Sequence, residues 1–268
     1  MTELPLSADP APLPVDRLRF AWPPGRPVPG SVAEERAHRR TRLAGTLRLL
    51  ARLGYEEGVS GLVTARDPEF PDRFWANPFG LPFALVTPDD LVQVNGRGEV
   101  LAGRHHINQA AFAPHAEIHR ARPDVVSVAH AHAVHGRALA AIGEPLLPLT
   151  QEACAFYEDH ALVERYTGVA VDEGEARAVA TALGPHKAAI LRNHGTLTVG
   201  DSVDAAAWWL ISLERCARIQ LAASAAGAPL PIGHRDALAT RERLGTDLVA
   251  WISYQPLWRE LSGPAPAP

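Results

Sequence analysis

The chain has 268 residues, 47% of them hydrophobic, and a formal net charge of −4 at pH 7. This composition allows a sizeable globular core, and the weakly acidic balance argues against a nucleic-acid groove or a polybasic membrane surface. Two cysteines without a CxxC pair do not make a disulfide framework, and no apolar run is long enough to cross a membrane. We therefore expect a cytoplasmic protein that binds small molecules and has no nucleic-acid or membrane partner.

The predicted elements begin after a proline-rich N-terminal stretch. Residues 1–30 contain many prolines and few periodic apolar positions, which predicts an extended arm. Leucines at helical spacing then predict an amphipathic helix over residues 31–53, with Gly54 as its C-terminal stop. A short helix is expected between the prolines at 114 and 123. Strand-like segments separated by Pro, Asp and Gly turns lie between these helices, at residues 61–65, 83–86, 91–94 and 100–101.

The second half of the chain predicts more helix. Helices are expected at residues 136–142, 172–183, about 202–226 and about 241–261. Asp201 or Ser202 is the expected cap of the third of these helices. Residues 263–268 predict a disordered Pro-Ala tail. Since there is no internal repeat and no linker, we predict one α/β domain over residues 31–262, in which helices cover a mixed, mainly antiparallel central sheet.

Two apolar segments rich in β-branched residues end in histidine. Side chains alternate along a strand, so His130 and His132 are expected to point to one face at the end of the segment 125–132. The second segment ends in His194 and Gly195, where the chain can turn freely, so a third imidazole can arrive from a neighbouring strand. Three imidazoles with open coordination positions are typical of a catalytic metal site; the alternative is a set of hydrogen-bonded structural histidines.

Four motifs carry a resemblance to a known family. They are Ser60-Gly61-Leu62-Val63-Thr64-Ala65-Arg66, Ala116-Glu117-Ile118-His119, His130-Ala131-His132 and Arg192-Asn193-His194-Gly195. Together they resemble the class II aldolase and adducin family over about residues 35–225. The resemblance implies that the three histidines bind a divalent metal, usually zinc, and that Glu117 acts as acid/base. It also implies a homotetramer, in which a tyrosine of the next subunit often completes the site. From the residues alone, Glu117 is an exposed charge that pairs with Arg120 or Arg122.

The departures from the family pattern concern its phosphate-binding groups. Leu62 stands where the aldolases have an asparagine, and His115 and Ala116 stand where they have two serines. Leu and Ala side chains cannot donate a hydrogen bond to a phosphate oxygen, so we predict that the substrate is not a standard sugar phosphate. His115 is expected either to contact an anion such as a carboxylate or to serve as a capping or packing residue.

The segment 151–160 resembles the adducin-like bacterial branch of the family. It makes Tyr157 a candidate catalytic proton donor and His160 a candidate substrate-binding residue. Packing of Tyr157 in the core is the alternative.

Three functions are compatible with this sequence. The first is a divalent-metal-dependent lyase, with zinc, that performs retro-aldol cleavage or decarboxylation of a small hydroxy- or keto-acid through a metal-stabilised enediolate. The second is a non-haem Fe(II) oxygenase or decarboxylase of an aromatic 2-oxo acid, because three neutral imidazoles also hold Fe²⁺. The third is a non-catalytic, adducin-like interaction domain, which the retention of all three histidines disfavours.

Overall fold

An eight-stranded sheet organises the part of the chain that the computed structural model describes, residues 26–166, 168 and 173–262. Residues 1–25 of the predicted arm and the predicted tail at 263–268 lie outside the described residues. The strands are β1 (Leu62–Arg66), β2 (Arg73–Ala76), β3 (Val92–Asn95), β4 (Val100–Ala102), β5 (Ser127–Ala131), β6 (His160–Val163), β7 (Ala188–Leu191) and β8 (Gly195–Gly200). The helices are α1 (Val32–Arg52), α2 (Gln109–Ala121), α3 (Val134–Ile142), α4 (Glu173–Leu183), α5 (Val203–Ala226), α6 (His234–Leu244) and α7 (Asp247–Ser262).

The strand order is β4-β3-β2-β1-β5-β8-β7-β6. Every neighbouring pair is antiparallel except β6 and β7, which are parallel. The predicted α/β fold with a mixed, mainly antiparallel sheet is therefore confirmed. The central strand β5 pairs with β1 on one side and with β8 on the other, and its five residues are all buried.

Helices cover both faces of the sheet. Ala129 and Ala131 of β5 pack in the same apolar cluster as the leucines of α1 and the buried residues of α5 and α7. Val128 packs in a second cluster with Ile118 of α2 and Leu183 of α4. Since successive residues of a strand point to opposite faces, His130 shares the α2 face with Val128. None of the helices in the described ranges is long and apolar enough to cross a membrane.

Capping residues account for the ends of the two longest helices. Ser31 accepts a hydrogen bond from the N–H of Glu34 at the start of α1, and Gly54 follows its end with a φ of 76°. Ser202 caps α5 in the same way by accepting from the N–H of Ala205. The predicted boundaries of these two helices agree with the structure to within about two residues.

Three of the sequence predictions were wrong in detail. Residues 83–86 are not a strand: Phe83–Leu85 is a short 3₁₀ helix, because the ring of Phe83 packs against α1 and its N–H donates to Glu56 at 2.7 Å. Helix α2 begins at Gln109, capped by Asn108, and therefore contains Pro114 in its interior. The last predicted helix is two helices, α6 and α7, which separate near Gly245.

Candidate metal centre

The structure brings together the three histidines that the sequence singles out. The ring centroids of His130 and His132 are 5.0 Å apart, and those of His130 and His194 are 4.8 Å apart. The third pair, His132 and His194, is separated by 5.1 Å. One nitrogen of each ring lies within 4.8 Å of the others. This is the kind of donor group that holds a divalent metal with positions left for a substrate.

The register of β5 and β8 produces this cluster. His130 lies within β5 opposite Leu197 of β8, and His132 follows directly after the strand. His194 lies in the tight turn between β7 and β8, where Asn193 has a left-handed backbone with a φ of 57°. Asparagine tolerates this conformation better than most residues, so the turn can deliver His194 beside β5.

Hydrogen bonding and burial prepare these rings as ligands. Nδ1 of His130 lies 2.9 Å from the carbonyl oxygen of Thr196, so Nδ1 carries the proton and Nε2 is left with its lone pair. Burial holds the pKa of His130 well below its usual value and lowers the pKa of His132 to about 4. It also lowers the pKa of His194. Metal ions bind neutral imidazole, so these shifts fit a metal site.

The histidine cluster opens into a cavity of about 340 Å³. Apolar side chains on its wall include those of Ala110, Ala111 and Pro114 from α2. The polar residues are Ser60, Asn108, His115, Arg137, Tyr166 and Asn193, together with the histidine cluster. Among the described residues that line the cavity there is no carboxylate side chain. The site therefore offers hydrogen-bond donors and one guanidinium to a small anion with an apolar body.

His115 is a predicted site residue that lies on this cavity wall. It is 1% exposed, and its Nδ1 lies 3.0 Å from the hydroxyl of Thr64. Its other ring nitrogen, Nε2, is buried and has no hydrogen-bond partner among the residues that the structure describes. Leu62 and Ala116, the other two departures from the family pattern, pack in an apolar cluster beside β1 to β3 instead.

Glu117 does not line the cavity. Its carboxylate pairs with Arg120 on the same helix and lies 3.6 Å from the guanidinium of Arg177 on α4. His115 and Glu117 are two positions apart, which is about 200° around a helix at 3.6 residues per turn. Since His115 faces the cavity, Glu117 faces away from it, and the structure supports the ion-pair alternative over the acid/base role.

Tyr157 and His160 also lie away from the cavity. The hydroxyl of Tyr157 is 3.0 Å from Nδ1 of His234, in an exposed contact with α6. Nε2 of His160 accepts from the N–H of Leu146 at 3.1 Å, and its Nδ1 lies 2.7 Å from the carbonyl of Phe156. Both ring nitrogens of His160 are thus satisfied by backbone groups, which is a structural role.

Sequence reasoning missed Arg137, the one guanidinium among the described lining residues. It lies on the first turns of α3, five positions after His132, and its guanidinium pairs with Glu57 at 2.9 Å. Both partners are exposed to solvent, with 38% and 55% of their side chains accessible. Arg137 lies about one helical turn after the start of α3, so the helix brings its side chain back to the end of β5 that carries His130 and His132. An arginine at this spacing after the histidine pair is a sequence signal that could have identified it as a site residue.

Comparisons with known proteins agree with this geometry. A profile of the family described as Class II Aldolase and Adducin N-terminal domain matches residues 41–221. The chain is 48% identical over 233 residues to a 4-hydroxy-3-prenylphenylpyruvate oxygenase/4-hydroxy-3-prenylbenzoate synthase of Streptomyces roseochromogenus subsp. oscitans, covering 86% of this chain and 84% of that protein. It is also 48% identical over 233 residues to decarboxylase NovR of Streptomyces niveus, covering 86% of each.

A solved structure gives the same result for the fold. The L-fuculose 1-phosphate aldolase from Glaciozyma antarctica superposes with a TM-score of 0.84 at 39% identity, over 88% of this chain and 93% of that one. The fold is therefore shared over most of this chain. The chain is an enzyme that belongs to the class II aldolase and adducin family.

Proposed function

We propose that the chain decarboxylates a small 2-oxo or 2-hydroxy acid with an aromatic body, at a divalent metal held by His130, His132 and His194. The observation that carries this proposal is the histidine cluster at one end of a largely apolar cavity. The cavity is large enough for a single substituted aromatic ring and its acidic side chain, and pockets for such ligands are mainly apolar with a few placed polar groups.

The polar groups of the wall match an acid of this class. Arg137 offers a guanidinium that binds carboxylates in a bidentate manner, and its present partner Glu57 is an exposed side chain that a substrate can replace. His115, which lines the cavity, has a buried ring nitrogen without a partner among the described residues, and this nitrogen is offered to a second oxygen of the substrate. When bound, zinc would supply Lewis acidity toward a substrate carbonyl, and iron(II) would supply in addition the reduction of dioxygen.

Decarboxylation fits the site better than retro-aldol cleavage. Retro-aldol cleavage requires a base that removes the proton of a substrate hydroxyl, and the described cavity wall contains no carboxylate for that step. Loss of carbon dioxide from a 2-oxo acid needs no such base, because the carboxylate is already ionised. The electron pair left on the former 2-oxo carbon would be taken up by a proton, giving the aldehyde, in the lyase, and by dioxygen in the oxygenase. Glu117 therefore has no part in this proposal.

An iron-dependent oxygenase is the second candidate. It is favoured by the 48% identity to a protein named as an oxygenase of a prenylated phenylpyruvate, and by the three imidazoles, which hold Fe²⁺ as well as Zn²⁺. Both candidates use the same histidines, the same cavity and an aromatic 2-oxo acid. They differ in the metal and in the fate of dioxygen.

One experiment separates the two candidates. The protein is purified without oxygen, its metal content is measured, and carbon dioxide release and oxygen uptake are followed with 4-hydroxyphenylpyruvate. Carbon dioxide release without oxygen uptake in a zinc protein supports the lyase. Equal amounts of carbon dioxide released and oxygen consumed in an iron protein support the oxygenase. A protein that contains neither metal after reconstitution, or that releases no carbon dioxide with either, would refute both.

We further propose a homotetramer located in the cytoplasm, with residues 31–262 as the catalytic domain. Enzymes with this fold act on small molecules and commonly form oligomers, which supports the assembly. Sedimentation equilibrium of the full chain tests it, and a monomer at micromolar concentration would contradict it.

A further inference from the structure

A chain of hydrogen bonds runs behind the cavity wall from Arg66 to His115. The Nη2 group of Arg66 lies 3.3 Å from Nδ1 of His119, and Nε2 of His119 lies 2.9 Å from the hydroxyl of Thr64. The same hydroxyl lies 3.0 Å from Nδ1 of His115. The two histidines are four residues apart on α2, so they present their rings to Thr64 on β1 from one helix face.

Both imidazoles in this chain are neutral. His115 and His119 are each 1% exposed. Burial holds the pKa of His115 well below its usual value and lowers the pKa of His119 to about 3. A neutral imidazole has one N–H donor and one acceptor nitrogen, so each ring must choose which of its nitrogens carries the hydrogen.

The guanidinium of Arg66 decides which nitrogen of His119 carries the hydrogen. Nη2 of Arg66 also donates to the carbonyl oxygens of His119 at 2.7 Å and of Arg122 at 3.0 Å, so its contact with Nδ1 of His119 shares a hydrogen. A guanidinium has no acceptor atom, so Nδ1 of His119 faces it with its lone pair and Nε2 carries the hydrogen. His119 then donates to the oxygen of Thr64, and Thr64 directs its own hydrogen to Nδ1 of His115. The remaining hydrogen of His115 is therefore on Nε2, a buried nitrogen that has no partner among the described residues, on a residue that lines the cavity.

We propose that this chain of hydrogen bonds fixes His115 as the Nε2–H tautomer, which gives the cavity wall a neutral donor for the 2-oxo oxygen of the substrate. His115 is then a substrate-binding residue, and Thr64, His119 and Arg66 are positioning residues that act through it. The tautomer depends only on the hydrogen bonds described, whereas the identity of the acceptor rests on the proposed function.

The tautomer is measured directly by long-range ¹H–¹⁵N correlation spectra of the full-length, zinc-loaded protein labelled at histidine nitrogen. We expect a protonated Nε2 and an unprotonated Nδ1 for His115 in the wild type, and loss of that preference in Thr64→Val. Thr46→Val is the matched control. It removes another buried threonine hydroxyl, which is bonded to Tyr254 at 2.7 Å and takes no part in the hydrogen bonds of His115 and His119. The control should keep the wild-type tautomer.

Two spectral outcomes would overturn the proposal. The first is an Nδ1–H tautomer of His115 in the wild type, which would mean that His119 turns an Nδ1–H toward the carbonyl of Val125 in spite of the guanidinium beside it. The second is a Thr64→Val protein whose His115 keeps the Nε2–H form, since the threonine would then have no part in setting it. Either result stands whether or not the enzyme is active.

The substrate contact is tested by calorimetric binding of phenylpyruvate and of 3-phenylpropanoate, which has no 2-oxo oxygen. We expect His115→Leu to weaken phenylpyruvate binding about tenfold and to leave 3-phenylpropanoate binding within about twofold. His115→Gln retains a donor near the position of Nε2 and should restore most of the lost affinity. Equal weakening of both acids would overturn the 2-oxo contact. If neither acid binds to the wild type, the proposed substrate class is wrong and the spectra still decide the tautomer.

Discussion

The N-terminus of α3 is held by a carboxylate from another helix. Ala133 at the N-cap position has no side-chain hydrogen bond to the helix, and Glu214 of α5 takes that part. One carboxylate oxygen accepts from the backbone N–H and from Nδ1 of His135, each at 2.8 Å. The other accepts from the N–H of Gly136 at 2.5 Å. His132 directly precedes Ala133, so Glu214 fixes the position of one candidate metal ligand.

Glu214→Gln replaces one of these oxygens by an NH₂ group that must face an N–H donor. At least one charge-assisted hydrogen bond is lost, which costs about 1.5–3 kcal/mol. The favourable negative charge at a helix N-terminus, about 0.3–2 kcal/mol, is lost with it. We therefore expect the free energy of unfolding to fall by about 2–4 kcal/mol and, because His132 loses its support, zinc affinity to fall about 10–100-fold.

Urea unfolding of the metal-free proteins and zinc competition against a chelator measure the two effects separately. Glu242→Gln is the matched control, because Glu242 is exposed on α6, and its stability should stay within about 0.5 kcal/mol of the wild type. A Glu214→Gln protein that loses less than about 0.5 kcal/mol would refute the capping role. A clear loss of stability with unchanged zinc affinity would refute the coupling to His132.

Three further predictions concern the metal, the core and acid stability. His130→Ala should lose bound metal and decarboxylase activity while His186→Ala keeps both, and full metal content in His130→Ala would contradict the site. Both carboxylate oxygens of Asp204 accept hydrogen bonds from the guanidinium of Arg42, each at 2.6 Å. Asp204→Asn leaves Arg42 buried without this carboxylate and should lower the free energy of unfolding, measured in urea, by about 3–5 kcal/mol. Burial lowers the pKa of His119 in the folded protein to about 3, from the ordinary value of 6.5, so stability should fall as pH falls through that interval. The fall should be shallower in His119→Gln, and an equal slope would contradict the burial of a neutral ring.

The sequence predicted the fold class and the three histidines because both depend on short-range patterns. Alternation along β5 places His130 on one face, and a glycine after His194 marks the turn that brings it back. The boundaries of α1 and α5 were readable from Ser31, Gly54 and Ser202, whose capping chemistry is local. None of these inferences required knowledge of how a helix is rotated against the sheet.

The remainder of the site depends on that rotation and was not predictable from the sequence. The preference of proline for a first turn placed the start of α2 at Pro114, whereas Asn108 caps the helix six residues earlier. The phase of the helix against the sheet is set by tertiary packing, which buries His115 and turns Glu117 toward α4. The family resemblance implied an acid/base role for Glu117, whose carboxylate the structure places beside α4, because two polar positions on one helix look alike until their burial is known.

The histidine cluster and the α2 residues of the cavity wall come from different elements of the fold, so substitutions can affect one without the other. The register of β5 with β8 and one tight turn position the histidines. A one-residue shift of that register would turn every side chain of β5 to the opposite face of the sheet. The wall residues Ala110, Ala111 and His115 lie on α2, which is a separate element from these two strands. If the histidines hold a metal, as proposed, the same donors can serve different reactions, and the proposed substrate preference then depends on the residues that α2 and Arg137 present to the cavity.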